Sequence, residues 1–393
     1  MRRVLVLLAI PFVILTSCSD MDLRNILVQT VENAKTPQAP SGLSASLLSV
    51  SRIGLAWTDN STNETGFKVE RSPDGTSGWT QVQLTAADAT TCDDTGLSAG
   101  TAYYYRVKAI NAAGASAYST CNVPNTNALI AIPASGDSFY MGDGTYGPNI
   151  SETISSSYNV SKYEITNAEF AQFIADGGYS TPSYWTTNGL AWLGTTQPAL
   201  WTDSNFNGGN QPVVGVSWYE AVAFCNWRSA KEGLTPAYNG SGQAALSANG
   251  YRLPTEVEWE YAAAKGASGH AERTYAYGSG TFDPSKAVCS VSPASATKTA
   301  DVGSKSTAGD TPQSLADMSG NVWEWCSDNY QADGSIMVAT DRYYFVDDLT
   351  SQSFLLRGGS WSNTNESFFR CAYRYSMAPF SRGSSIGFRV VRR

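Results

Sequence analysis

The chain has 393 residues, enough for two or three domains, with a charged fraction of only 15%. Gly, Ser, Thr, Asn, Tyr and Trp are abundant, which suits exported, loop-rich β structure and argues against a cytosolic helical enzyme. The net charge is -8 and no basic run follows the first three residues, which argues against a nucleic-acid partner. His270 is the only histidine, so a site built on two or three imidazoles is excluded, and it is read as a lone surface residue.

Met1-Arg2-Arg3 forms a positive n-region, and residues 4–14 form an apolar stretch too short to span a bilayer. Leu15-Thr16-Ser17-Cys18 then resembles a bacterial lipobox. That resemblance implies a lipoprotein signal peptide over 1–17 and acyl chains on Cys18. It also implies an exported protein, lipid-anchored to the cell envelope on its outer surface. An ordinary signal peptide with a chance cysteine is the competing reading, and the small residues Thr16 and Ser17 speak against it. No later segment is apolar enough to span. Residues 18–36 are polar and unpatterned and read as a tether; as flexible coil it would span roughly 25 Å.

From 37 to 127 the pattern becomes short alternating strands. Ile53-Gly54-Leu55-Ala56-Trp57 alternates, Gly66-Phe67-Lys68-Val69-Glu70-Arg71 follows it, and Pro73-Asp74-Gly75 marks a turn. Tyr103 and Tyr105-Arg106-Val107-Lys108-Ala109 close the series. The segment resembles a fibronectin type III module, with Trp57 as its core tryptophan and Tyr103 at the tyrosine corner. No unusual cluster interrupts the pattern, so a spacer is favoured over a binding module.

Residues 128–393 form the large segment. It opens on a strand and turn ending at Met141-Gly142. Lys162-Tyr163-Glu164-Ile165-Thr166-Asn167 then leads into a helix with Phe170, Phe173 and Ile174 at helical spacing. Ser217-Trp218-Tyr219-Glu220 and Thr255-Glu256-Val257-Glu258 are capping-box signals for two further helices. The first buries Ala221, Phe224 and Cys225, and the second turns Trp259, Ala262 and Ala263 inward.

The motifs Arg252-Leu253-Pro254-Thr255-Glu256, Gly320-Asn321-Val322-Trp323-Glu324-Trp325, Arg357-Gly358-Gly359-Ser360-Trp361 and Ile386-Gly387-Phe388-Arg389 occur in order. Together they resemble the formylglycine-generating-enzyme (sulfatase-modifying factor) family. The resemblance implies an all-β fibronectin type III sandwich followed by a mixed α+β, C-type-lectin-like domain with much irregular loop. It also implies one calcium ion on Asp317, Gly320, Val322 and Glu324, a set of hard oxygen ligands. The other reading of that turn is that both carboxylates simply bond backbone amides. A second family calcium site is put in doubt by Ala287-Val288-Cys289.

The family's enzymes hold copper between two cysteines just after the GGS turn. No cysteine lies between Trp361 and Arg370, so neither copper nor iron is expected. With Cys18 set aside, Cys92, Cys121, Cys225, Cys289, Cys326 and Cys371 remain, without a zinc-type CxxC. Export makes disulfides possible, and Cys92 with Cys121 is one open pairing. The family's two disulfides are each half missing: their partners for Cys225 and Cys371 fall at Val390 and Ala263. Cys225 and Cys371 are therefore read as small buried residues.

Residues 362–385 are mostly small, polar or aromatic, with arginines interleaved. They resemble the variable region of proteins altered by diversity-generating retroelements, though Glu366 and Met377 depart from the simplest codon scheme. The alternative is an ordinary Ser/Tyr-rich loop surface. Either way the mixture suits an adaptable binding surface, with Asn363, Asn365, Phe368, Phe369, Tyr373, Tyr375, Phe380 and Ser384 as candidate ligand contacts. Arg370, Arg374, Arg382 and Arg389 are read as scaffold braces. Arg357 and Arg389 are expected on buried carboxylates such as Glu258 or Glu324. Tyr184, Trp185, Trp192 and Trp201 are read as packing for a long loop rather than a sugar platform. The favoured function is a lipid-anchored, surface-displayed binding protein of receptor or adhesin type, taking a protein or glycan ligand on a non-catalytic domain. The alternative is an exported oxidoreductase of the sulfatase-modifying type acting on a protein side chain.

Overall fold

A computed structural model describes residues 35–49, 52–73, 75–97, 103–123, 127–267, 269, 271–331, 340–346 and 352–393. Residues 1–34, with the expected signal segment, Cys18 and most of the expected tether, and His270 lie outside the described residues. Two compact units make up the chain, the larger holding all of 122–393.

In the N-terminal module, β1 (Ser41–Ser49), β2 (Arg52–Thr58) and β5 (Thr91–Thr95) form one sheet. A second contains β3 (Gly66–Ser72), β4 (Thr80–Leu84), β6 (Tyr103–Asn111), β7 (Gly114–Ala115) and β8 (Ser119–Val123). The alternation read from sequence is real: on β2, Ile53, Leu55 and Trp57 are buried while their neighbours are not. On β6, Tyr103, Tyr105, Val107 and Ala109 point inward. The Trp57 ring packs 5.5 Å from Phe67, which joins the two sheets into a sandwich.

The large domain begins with β9 (Leu129–Ile132), the hairpin of β10 (Asp137–Met141) and β11 (Ile150–Ile154), and β12 (Tyr158–Ser161). Four α-helices follow among the described residues: α1 (Asn167–Ala175), α2 (Thr187–Trp192), α3 (Trp218–Lys231) and α4 (Glu256–Ala264). The chain then returns as β13 (Trp323–Asn329), β14 (Phe354–Arg357), β15 (Tyr375–Met377), β16 (Ile386–Gly387) and β17 (Val391–Arg392). The last strand pairs with β12, so both ends of the domain share the sheet β17-β12-β9. The central sheet runs β15-β14-β13-β16, with β13 and β16 parallel.

Capping boxes start α3 at Ser217 and α4 at Thr255 as the sequence indicates. A third starts α1, where Thr166 and Glu169 cap each other reciprocally. On α1, Phe170 and Phe173 are buried and Ile174 is half-buried against the same core. The expectation for α4 was too modest. All nine of its residues are buried, including Glu256, Glu258 and Glu260, so it shows no amphipathic stripe. A fully buried helix carrying three carboxylates requires matched cations.

Arginines supply that match. Arg252 makes a bidentate pair with Glu258 at 2.5 and 2.6 Å. Arg374 does the same with Glu256 at 2.6 and 2.9 Å. Arg357 bonds Glu260, which corrects the expectation of a pair with Glu258 or Glu324: Glu258 is already occupied by Arg252. Arg389 does pair with Glu324, at 2.6 and 2.7 Å, and the Trp259 indole N–H donates to the same carboxylate at 2.7 Å. Both side chains of that pair are wholly buried.

Cys121, Cys225, Cys289, Cys326 and Cys371 form no disulfide among the described residues. Cys225 shares a core cluster with Val390, and Cys371 shares another with Ala263. Each thiol thus lies in the same core cluster as the residue at which the family resemblance places its partner.

Arg389→Met strands the Glu324 carboxylate in the core, and we expect a loss of about 3–5 kcal/mol of stability by denaturant titration. Adding Glu324→Gln should recover part of that loss. An equal loss in both variants would assign the cost to packing instead of charge.

Candidate functional site

Two turns far apart in sequence build the platform beneath the C-terminal loops. The Gly320 N–H donates to the Gly358 carbonyl at 2.9 Å, and the Trp361 N–H donates to the Asn321 carbonyl at 2.8 Å. Gly320 (φ +109°) could not carry a side chain, because a Cβ there would sit 2.8 Å from the Val288 oxygen. Gly359 (φ +77°) is similarly confined by the Phe368 carbonyl and the Phe369 ring.

From this platform the chain runs through 362–385. Asn363 accepts from the Ser360 N–H at 2.8 Å and its hydroxyl at 3.0 Å, which ties the loop to the GGS turn. Asn365 caps a one-turn helix (Glu366–Phe369) by accepting from the Ser367 N–H at 2.9 Å. The Trp361 indole N–H donates to the Ser384 carbonyl at 3.1 Å. These three predicted contacts therefore also hold the loop's shape.

The aromatic residues divide. Phe368 and Tyr373 meet edge to face at 4.9 Å, and Trp323 lies 5.3 Å from Tyr375, which is 42% exposed. Tyr146, 5.5 Å from Tyr373, extends the cluster, and its hydroxyl shares a 3.0 Å hydrogen bond with Ser367. Phe380 is 49% exposed and joins no ring contact among the described residues. Phe369 does not belong to the surface. It is fully buried and stacks on Phe282 at 4.8 Å, while Phe368, about a third of a turn away on helix 366–369, is only half-buried. Sequence reasoning missed Trp323 and Tyr146. Trp323 sits in a motif read only for its oxygens, and Tyr146 comes from a turn more than 200 residues earlier. Their alignment is purely tertiary.

The arginines hold the loop down. Arg370 makes two bonds to Asp143 at 2.8 and 3.0 Å, and Arg382 reaches Glu220 at 2.9 Å and the Gly215 carbonyl at 3.1 Å. Trp185 is buried with its indole N–H on the Gly178 carbonyl, while Tyr184, Trp192 and Trp201 pack half-buried against the same core.

Asp317 has φ +57° and accepts from the Gly303 N–H at 2.5 Å. Both its carboxylate and that of Glu164 lie in the field of Arg389 and Glu324. Glu164 is wholly buried, and neither of its oxygens has a hydrogen-bond partner. Burial, then the Asp317 charge, pushes the Glu164 carboxyl well above the usual range; burial pushes Asp317 up to about 6. Three carboxylates thus face one guanidinium. Glu324, an expected calcium ligand, already spends its oxygens on Arg389 and Trp259. Glu164, with both oxygens orphaned, and Asp317 are hard oxygen donors of the kind a divalent cation takes; Gly320 and Val322 would supply the backbone carbonyls that the family resemblance implies.

Cys371 borders a cavity of about 170 Å³ with Asp143, Glu260 and Arg370. Burial pushes its thiol up to about 12 and raises that of Cys326 as well, so both stay protonated at neutral pH.

Comparison with known proteins bears on this architecture. Residues 116–393 match the sulfatase-modifying factor enzyme 1-like domain, and residues 38–121 match the fibronectin type III domain. The chain belongs to the sulfatase-modifying factor enzyme 1-like family. Its large domain therefore has the C-type-lectin-like fold, preceded by a fibronectin type III sandwich, as expected from the motifs. A curated relative is the hercynine oxygenase of Mycolicibacterium smegmatis, 32% identical over 222 residues, covering 52% of this chain and 46% of that protein. The chain spans about half the length of the hercynine oxygenases it matches. The formylglycine-generating enzyme of Streptomyces coelicolor is 28% identical over 302 residues, covering 66% of this chain and 85% of the enzyme. Among solved structures, Treponema denticola variable protein 1 superposes with a TM-score of 0.50 at 26% identity, over 71% of this chain and 96% of that one.

Phe369→Ala should cost about 3–5 kcal/mol by chemical denaturation, as for other fully buried phenylalanines. Tyr375→Ala on the open side should stay within about 0.5 kcal/mol of the parent. The reverse order would invert the assignment of core and surface.

Proposed function

We propose that this chain is a lipid-anchored binding protein of the bacterial cell surface, whose large domain presents its C-terminal loops to a protein or glycan ligand. One observation carries the reading: Phe368, Tyr373 and Tyr375 gather with Tyr146 over the buried Trp323 into one aromatic patch whose open edge is Tyr375. Such rings give large contact area at low rotamer cost, and the Ser and Asn side chains around them supply adaptable hydrogen bonds. The rigid underside suits this role, since the arginine braces fix the loops and leave the ligand-facing residues free to vary. The fold shared with Treponema denticola variable protein 1 is consistent with a display scaffold. In this reading Cys18 carries the lipid, residues 18–36 give clearance and the fibronectin module is the stalk.

Tyr373→Ala and Tyr375→Ala, screened beside the parent on glycan and protein arrays, should each lose about tenfold or more in capture of the parent's ligand. Their melting temperatures should stay unchanged. Normal capture by both would move the ligand to another face.

A second reading is favoured by the names of the curated relatives, a hercynine oxygenase and a formylglycine-generating enzyme. It makes this chain an exported oxidoreductase acting on a protein side chain. Metal analysis separates the two. We infer that calcium, held by Asp317 and Glu164, is the large domain's own ion. Its removal with a chelator should then lower that domain's melting temperature by roughly 5–10 °C from a state about 100-fold above Kd. Stoichiometric copper or iron in the purified protein would support the oxidoreductase instead.

A further inference from the structure

We propose that the N-terminal module binds a calcium ion between Asp59, Glu64 and Asp88. Asp59 and Glu64 lie on the loop joining β2 to β3, and Asp88 lies between β4 and β5. Each offers a carboxylate oxygen, and the three oxygens all lie within 4.8 Å of one another. Glu64 is the deciding member. It is only 8% exposed, and its Oε2 is buried without any hydrogen-bond partner. Its Oε1 accepts from the Asp88 N–H at 3.2 Å, which fixes the carboxylate between the two chain segments.

Like charges at such separations repel, and the cost grows as water is removed from one of them. The chain does not answer them with a side chain of its own: among the described residues, no lysine or arginine forms an ion pair with any of the three. The same module does pair another buried carboxylate, Glu70, with both Lys68 and Arg106. The Asp88 N–H meets one oxygen of Glu64, and a cation from solution would meet the other, Oε2.

The donor chemistry selects the ion. Only oxygens converge, with no thiol or imidazole, so a hard cation is expected rather than zinc or copper. Calcium–oxygen distances of about 2.3–2.6 Å put ligands on opposite sides of the ion up to roughly 5 Å apart, which matches the observed spread. Neutral oxygens stand beside the carboxylates in Ser61 and Asn63. The loop is already shaped: the Ser61 N–H donates to Asp59 at 2.9 Å, and the Asn111 side-chain amide holds the Asn63 carbonyl at 3.1 Å. Calcium sites of extracellular modules bind in the range of about 10⁻⁴–10⁻³ M, so this one would fill outside a cell and stiffen the module there.

The test is hydrogen–deuterium exchange on the full chain with calcium chloride added to about 10⁻³ M, near the upper end for such sites. In the parent, peptides covering residues 59–66 and 86–90 should gain protection. Asp88→Asn should abolish that gain. Asparagine tolerates the left-handed backbone at this exposed position (φ +58°), so the variant should fold. Glu64→Gln should abolish it too, while Asp317→Asn, which touches only the large domain, should leave it intact. Absence of protection in the parent, its persistence in both Asp88→Asn and Glu64→Gln, or an equal response to magnesium overturns the proposal.

Discussion

Buried charge pairing is the constraint on which the large domain rests. Arg252, Arg357 and Arg389 are fully buried, and each faces a glutamate from α4 or β13. Such pairs add little net stability, because desolvation offsets their attraction, but a mismatched member is costly. They therefore penalise wrong packings more than they reward the right one. Arg389 also donates to the carbonyls of Ser161 and Ala316, at 3.0 and 2.9 Å. A single guanidinium thus locks the last motif of the chain to the first strands and to the central sheet.

The consequence is a division of labour inside one short segment. Between residues 362 and 385, arginines and Phe369 point down into the scaffold while Tyr375 and Phe380 stay open. Because Arg370, Arg374 and Arg382 each end on a carboxylate of another element, the path of the backbone does not depend on the open residues. A surface of that kind can change its chemistry without losing its fold.

Glu164 and Glu64 show the same physics with the cation missing from the protein. Each is a buried glutamate with unpaired oxygen and no arginine bonded to it, one in the large domain and one in the stalk-like module. Elsewhere the chain pairs such groups carefully, so these two exceptions mark places where something other than a side chain is expected. In the module, a cation bound at Glu64 would make the stiffness of the segment follow the surrounding medium.

Sequence alone determined the local signals. Alternation on β2 and β6, the capping boxes at Ser217 and Thr255, and the ordered glycine-rich motifs all rest on contacts within a few residues, and the elements form where they occur. Burial of Cys225 was legible from its apolar helix stripe, and that of Cys371 was an expectation from the half-missing family disulfides. Partner choice was not. Arg357 takes Glu260 instead of Glu258, Phe369 turns inward while Phe368 does not, and Tyr146 joins a surface built from the far end of the chain. The three glutamates of α4 gave no periodic signal, because a helix buried on every side has no polar face to reveal. These outcomes depend on which distant groups reach one another first and leave no charge unmatched, and only the tertiary structure decides that.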